Sequence, residues 1–221
     1  MTLLEITIPQ TLQAALGIIV ITDLCLLATE RQRLCIRLLA VQGVVLGLLP
    51  LLGDIAPLTW HLLAMTAIFL GIKAVALPYI LRRCHAALPQ EPPLTPHIGY
   101  NRSVLAGALG CAFSLWLAAR LPVPANPLFL VFFAPAITTV LAGLIIIIAR
   151  RKVLTQVMGY LVLENGIYLL GVPLARHDAV WLELSVLLDV FVGIFVMIIA
   201  IRHLNQAFHS VDADRLASLR D

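Results

Sequence analysis

Glu164 stands near the middle of "MGYLVLENGIYLLGVPL", residues 158–174, a stretch otherwise almost wholly apolar, with Asn165 beside it. A charge at mid-membrane depth costs roughly 2.5–3.5 kcal/mol on insertion scales. Such a residue faces the inside of a bundle, where it is protonated, paired or hydrated. Low dielectric disfavours the charged form of any acid, and an acid that changes protonation state within a membrane is what a proton relay requires. Lys152, Gln156, Tyr160, Glu164 and Tyr168 recur at intervals of four. That spacing keeps neighbours on one helix face with a drift of about 40° per step. The row is expected to line a hydrated path from the basic end of its helix to mid-depth. The plainer alternative is a polar stripe that joins helices by hydrogen bonds.

Asp189 is the second acid set deep in an apolar run, on the span that follows. The short connection 174–179 makes the two spans antiparallel neighbours, so the two carboxyls are expected to share or pass a proton. Ser185, Asp189 and Gly193 fall on one face. Lys73 lies within the third span, where it either snorkels to the interface or serves as an internal proton site or ion-pair partner. Asp23 is expected to pair with Arg31 or Arg33. His61 and Glu183 sit near an interface, where charge costs little, and Pro78 and Pro135 read as ordinary membrane-helix kinks.

The elements that carry these residues follow from composition. Hydrophobic residues make up 61% of the 221-residue chain and charged ones 12%, which points to an all-α polytopic membrane protein. A helix needs about 20 apolar residues to cross a bilayer. About seven spans are expected: Thr7–Ala28, Leu38–Ala56, Leu58–Ile80, Val104–Leu121, Pro127–Ala149, Val153–Pro173 and Val180–Ile201. Alternate loops are basic, carrying Arg31, Arg33 and Arg37, then Arg82, Arg83 and Arg102, then Arg150, Arg151 and Lys152, then Arg202, Arg215 and Arg220. By the positive-inside rule these loops are cytoplasmic, with the N-terminus outside and the C-terminus inside. No basic residue precedes the first apolar run, so it is expected to be a mature helix rather than a cleaved signal.

Three regions are expected. Residues 1–85 form an N-terminal three-helix region, 86–126 a Pro-rich cytoplasmic loop with a connector helix, and 127–221 a second three-helix region with a cytoplasmic tail. A faint repeat lays "VQGVVLGLLPLL" from Val41 over "ENGIYLLGVPLA" from Glu164, matching Gln42–Gly43 to Asn165–Gly166 and Pro50 to Pro173. The four cysteines, Cys25, Cys35, Cys84 and Cys111, are scattered without a C-x-x-C pair. That argues against a metal site, a cluster or a disulfide framework. No nucleotide loop or nucleophile elbow occurs.

The last third, from Ala136, resembles the three-helix K subunit of respiratory complex I and the C subunit of multisubunit cation/proton antiporters. The likeness lies in "AGLIIIIARRK", "MGYLVLENG", "LLDVFVGIFVMIIAIRHLNQ" and the tail "SVDADRLASLRD", in that order. The family carries two membrane glutamates on its proton path. Asp189 matches the second; Leu161 takes the place of the first, with Glu164 nearly one turn later. Over its full length the chain resembles the E component of hydrogenase-4-type complexes, membrane-bound [NiFe] hydrogenases whose membrane arm is related to that of complex I. The resemblance implies a non-catalytic membrane subunit of an oxidoreductase complex in the bacterial inner membrane, contributing to proton translocation. It implies antiporter-like subunits and a hydrogenase-anchoring membrane subunit as neighbours. No cofactor is expected in this chain, the nickel–iron site and iron–sulfur clusters belonging to partners. The other readings are a subunit of a cation/proton antiporter-type complex without hydrogenase, a structural spacer, and a lone secondary transporter.

Overall fold

Hydrocarbon offers no partner for backbone N–H and C=O groups, so an apolar run satisfies them internally as a helix. The computed structural model describes residues 9–52, 60–87, 97–120 and 127–173, with Leu187, Leu188, Phe191, Phe195 and Ile198. The helices are α1 (Gln10–Ala28), α2 (Gln32–Leu52), α3 (Trp60–Leu70), α4 (Leu77–Ala87), α5 (Tyr100–Arg120), α6 (Pro127–Ala149) and α7 (Val153–Gly171). A π-helical segment, Gly71–Ala76, joins α3 to α4 in one continuous rod. With that rod counted once, six helices among the described residues are long and apolar enough to cross a membrane, and no strand occurs among those residues. The chain is an all-helical, multi-pass membrane protein. Of the expected seventh span only the five isolated residues are described, all of them exposed.

Several expected boundaries move, α5 beginning at Tyr100 rather than Val104 among them. α2 begins at Gln32 rather than Leu38, and α4 runs past Ile80 to Ala87. Arg33, Arg37, Arg82, Arg83 and Arg102 therefore ride on helix ends instead of in loops. The last turns of α1, α4 and α6 meet the first turns of α2, α5 and α7 at one basic end. There Arg150, buried, donates to the Leu27 carbonyl at 2.7 Å. It thereby satisfies one of the terminal carbonyls that α1 leaves without an internal partner. Its guanidinium lies 3.8 Å above the Tyr100 ring.

α6 packs along α7 and also touches α1 and α5, while α2 touches α1, α7 and the composite rod. Lipid is as apolar as leucine, so helices associate through close packing, and small residues permit it. A Cβ on Gly143 would fall 2.5 Å from the Leu163 nitrogen, and one on Gly166 would fall 2.6 Å from the Val140 nitrogen. α6 and α7 are thus in backbone contact.

The rod's π segment has a visible cause. Pro78 lacks an N–H, and its ring excludes the carbonyl four residues back. The ladder shifts to a wider turn, with Leu77 N–H bonded to Ile72 O, a device often found at functional sites. Phe69, Lys73, Leu77 and Leu81, each four residues from the next, are all buried. In a regular α-helix three such steps would fan over about 120°; the wide turn takes up that excess and holds the four in one stripe.

Buried apolar side chains form two clusters. One, toward the basic end, includes Leu26, Ile36, Leu39, Leu77, Leu81, Ala142, Met158 and Leu161. The other, toward the opposite end, includes Leu16, Ile19, Leu46, Phe69, Phe132, Ala136, Tyr168 and Leu169. Between them lie the buried polar residues Thr22 and Asp23 of α1, Gln42 of α2, Lys73 of the π segment, Thr139 of α6, and Glu164 and Asn165 of α7.

Candidate functional site

Those positions make a polar layer across the middle of the bundle. The π segment contributes Lys73 and α7 contributes Glu164, with Nζ 3.5 Å from Oε1 and the two side chains 5% and 4% exposed. The sequence left Lys73 open between snorkelling and internal pairing; it is internal and paired. Its ammonium also donates to Asn165 Oδ1 at 2.8 Å and lies over the rings of Phe69 and Tyr168, 5.2 and 5.9 Å from their centroids. Gly43 makes this possible: a Cβ there would meet the Lys73 carbonyl carbon and oxygen at 2.8 Å. Only glycine lets α2 approach the π segment so closely.

The layer continues through two amides. Asn165 Nδ2 donates to Gln42 Oε1 at 3.1 Å, and Gln42 Nε2 donates to Asp23 Oδ1 at 2.7 Å and to Thr22 Oγ1 at 3.0 Å. Thr139 on α6 donates to Asp23 Oδ2 at 2.6 Å. An ammonium can only donate, so it fixes the direction of the chain: each amide turns its oxygen to Lys73 and its hydrogens to Asp23. A cavity of about 20 Å³ adjoins Lys73 and Asn165, lined also by Leu39, Leu77, Pro78, Leu81 and Leu161. One water needs roughly 10–15 Å³ by this measure. The cavity sits on the basic-end side of the ammonium.

The expected row on α7 divides. Glu164 and Tyr168 are buried, and Tyr168 packs on Phe69 with centroids 4.7 Å apart. Tyr160 is 43% exposed on the outer surface. Gln156 donates to the Arg150 carbonyl at 2.9 Å. The row does not line one path, because α7 is a regular helix and the drift of 40° per step carries Tyr160 away from the bundle while Glu164 stays within it. Asp189, like Glu183, lies outside the described residues, so its proximity to Glu164 stays a sequence expectation.

Asp23 corrects the sequence reading. It does not pair with Arg31 or Arg33, both exposed; it is fully buried and held by Gln42 and Thr139. Gln42 and Thr139 were missed as members of a site. The available signal was the repeat: Gln42 and Asn165, matched there, hydrogen-bond to each other, and Gly43 and Gly166, also matched, each admit a neighbouring backbone. The cysteines lie on four different helices, and no metal-ligand group of three or more forms among the described residues.

Fold and layer together define a multi-pass helical membrane protein with an ion pair buried at mid-depth. The chain is 29% identical over 211 residues to an uncharacterized protein of Mycobacterium tuberculosis, the match covering 94% of each chain. It is 24% identical over 204 residues to hydrogenase-4 component E of Escherichia coli, covering 92% of this chain and 94% of that protein, and the same holds for hydrogenase-4 component E of Shigella flexneri. The kinship with component E is distant and runs nearly end to end in both proteins. No family model matches the chain, and no solved structure matches it significantly.

Proposed function

We propose that the chain is a membrane subunit of a hydrogenase-type or complex-I-like assembly in the bacterial inner membrane, and that its polar layer forms part of the proton route. The carrying observation is the Lys73–Glu164 pair, enclosed between two apolar clusters. A proton reaching Glu164 cancels the carboxylate and releases its hold on the ammonium, so proton occupancy and the position of Lys73 are coupled. The amides Asn165 and Gln42 do not conduct protons, since an amide N–H does not leave at ordinary pH. As aligned dipoles they make the charge at one end felt at the other. The cavity beside Lys73 supports access from the basic, cytoplasmic side. Asp189 is proposed from the sequence alone as the next carrier. Tyr160 and Gln156 stand outside the route. The antiporter-like subunits and the hydrogenase-anchoring subunit are the proposed neighbours, and the nickel–iron site and clusters would reside in the partner subunits of the hydrogenase module that the latter anchors.

Glu164→Gln keeps the shape and removes the titration. In membranes carrying the intact assembly, proton uptake into inverted vesicles is expected to collapse while the subunits still copurify. Unchanged uptake with an intact assembly overturns the relay and leaves a spacer. Mild-detergent purification that brings down antiporter-like subunits without a [NiFe] subunit favours the antiporter-type complex instead.

A further inference from the structure

Asp23 has an arrangement that the Lys73–Glu164 pair does not need. Its Oδ2 lies 2.6 Å from Thr139 Oγ1, and the same hydroxyl oxygen lies 2.9 Å from the carbonyl of Pro135. A hydroxyl has one proton to give and two lone pairs. Ionised Asp23 is therefore met by a Thr139 that donates to Oδ2. Protonated Asp23 is met by a Thr139 that accepts from Oδ2 and turns its own proton to Pro135. Neither state strands a buried polar group or moves a heavy atom.

The other oxygen cannot do this. Oδ1 faces Gln42 Nε2, whose orientation is set by the chain running back to Lys73. The second Gln42 hydrogen goes to Thr22 Oγ1, which itself donates to the Ile19 carbonyl at 2.7 Å. A proton on Oδ1 would oppose an N–H, so the protonated form carries it on Oδ2. Among the described residues the layer contains one cation, Lys73, and two carboxyls, Glu164 and Asp23, set between apolar clusters. Burying a net charge is costly, so such a set favours holding one proton on its two acids.

We propose that Asp23 is a second proton-holding site of the layer, loaded on Oδ2, with the Thr139 hydroxyl as the rotor that satisfies both protonation states. This rests on reading the layer as a proton route. Loading adds one proton from solvent to the carboxylate, and unloading returns it. Among the described residues the titratable and charged groups toward Asp23 are few. Through Gln42 on α2 it is linked to Lys73 and Glu164. Cys35 lies further along α2, and Arg150, at the end of α6, binds Leu27 one turn further along α1 and covers Tyr100 of α5. Where α5 crosses α1 it meets Leu24 and Leu27 with Gly107, which brings no charge.

The test is an infrared pH titration of the purified assembly in lipid nanodiscs, following the C=O stretch of protonated carboxyls. One such band is expected to vanish in Asp23→Asn. In Thr139→Val, which keeps the shape and loses the hydroxyl, that band should shift in frequency. Its midpoint should move to higher pH, because the charged form loses the stronger bond. Thr139→Ser should restore both. Thr139→Val also serves if Asp23→Asn does not assemble. An unchanged spectrum in Asp23→Asn, or a Thr139→Val titration like that of the parent, overturns the proposal. The titration is read at equilibrium without driven transport, so it can fail while the Glu164→Gln result stands, and the reverse.

Discussion

Lys73→Met strips the ammonium and keeps most of the stem. Two unit charges 3.5 Å apart attract by about 5 kcal/mol at an effective dielectric of about 20. Most of that is offset by the cost of taking both out of water, so the pair adds little over a well-packed apolar pair. Removing one partner is another matter, because it leaves a buried carboxylate without its cation. The expected cost is about 3–5 kcal/mol. Glu164 can relieve part of it by taking up a proton, so the cost should shrink as the pH is lowered. The assay is reversible unfolding in mixed detergent micelles, followed by helical circular dichroism, on Lys73→Met, Glu164→Gln and the double variant. The double variant should cost less than the sum of the singles by about 2 kcal/mol or more, within the range of couplings found for contacting residues. Single costs below about 1 kcal/mol that simply add and do not vary with pH would refute the buried pair, since exposed ion pairs behave in that way.

Gly43→Ala places a Cβ 2.8 Å from the Lys73 carbonyl and should cost about 1–3 kcal/mol as overpacking. Vesicle proton uptake should fall with it although no titratable group is changed; full uptake would show that the closeness of α2 to the π segment is unimportant. Arg150→Ala removes a buried guanidinium from the Leu27 carbonyl and should lower stability by about 1.5–3 kcal/mol, seen as an earlier thermal midpoint. Arg150→Lys should recover only part of this, because an ammonium cannot both bond that carbonyl and stack on Tyr100.

The helices were legible because runs of this length and hydropathy have no other solution in lipid, and α6 has the bounds expected from the sequence, Pro127–Ala149. The burial of Glu164 was legible for the opposite reason: a carboxylate in an apolar run must turn inward. The rotation of each helix was not legible. In a soluble protein a polar face marks the outside. Here lipid and core are equally apolar, so hydropathy does not tell Tyr160, which faces out, from Tyr168, which faces in. Asp23 was misassigned because it stands within reach of an arginine loop along the chain. Its real partners Gln42 and Thr139 are 19 and 116 residues away, and Lys73 is 92 from Asn165. Pro78 was legible as an interruption; the wide turn it provokes, and the lysine that turn presents, needed the packed neighbours.

The two members of the ion pair are held with unequal firmness. Glu164 belongs to a helix whose backbone lies against α6, with no room at Gly143, Gly159 or Gly166 for even a methyl group. Lys73 belongs to a stretch with one residue more than its height requires, and among the described residues that stretch leans, outside its own rod, chiefly on α2. Surplus length of this kind can be redistributed along a helix without unfolding it, whereas a sealed seam must open before it can slide. Among the described residues the acid is the more tightly seated of the two, and a rearrangement that parts these charges is expected to start from the lysine.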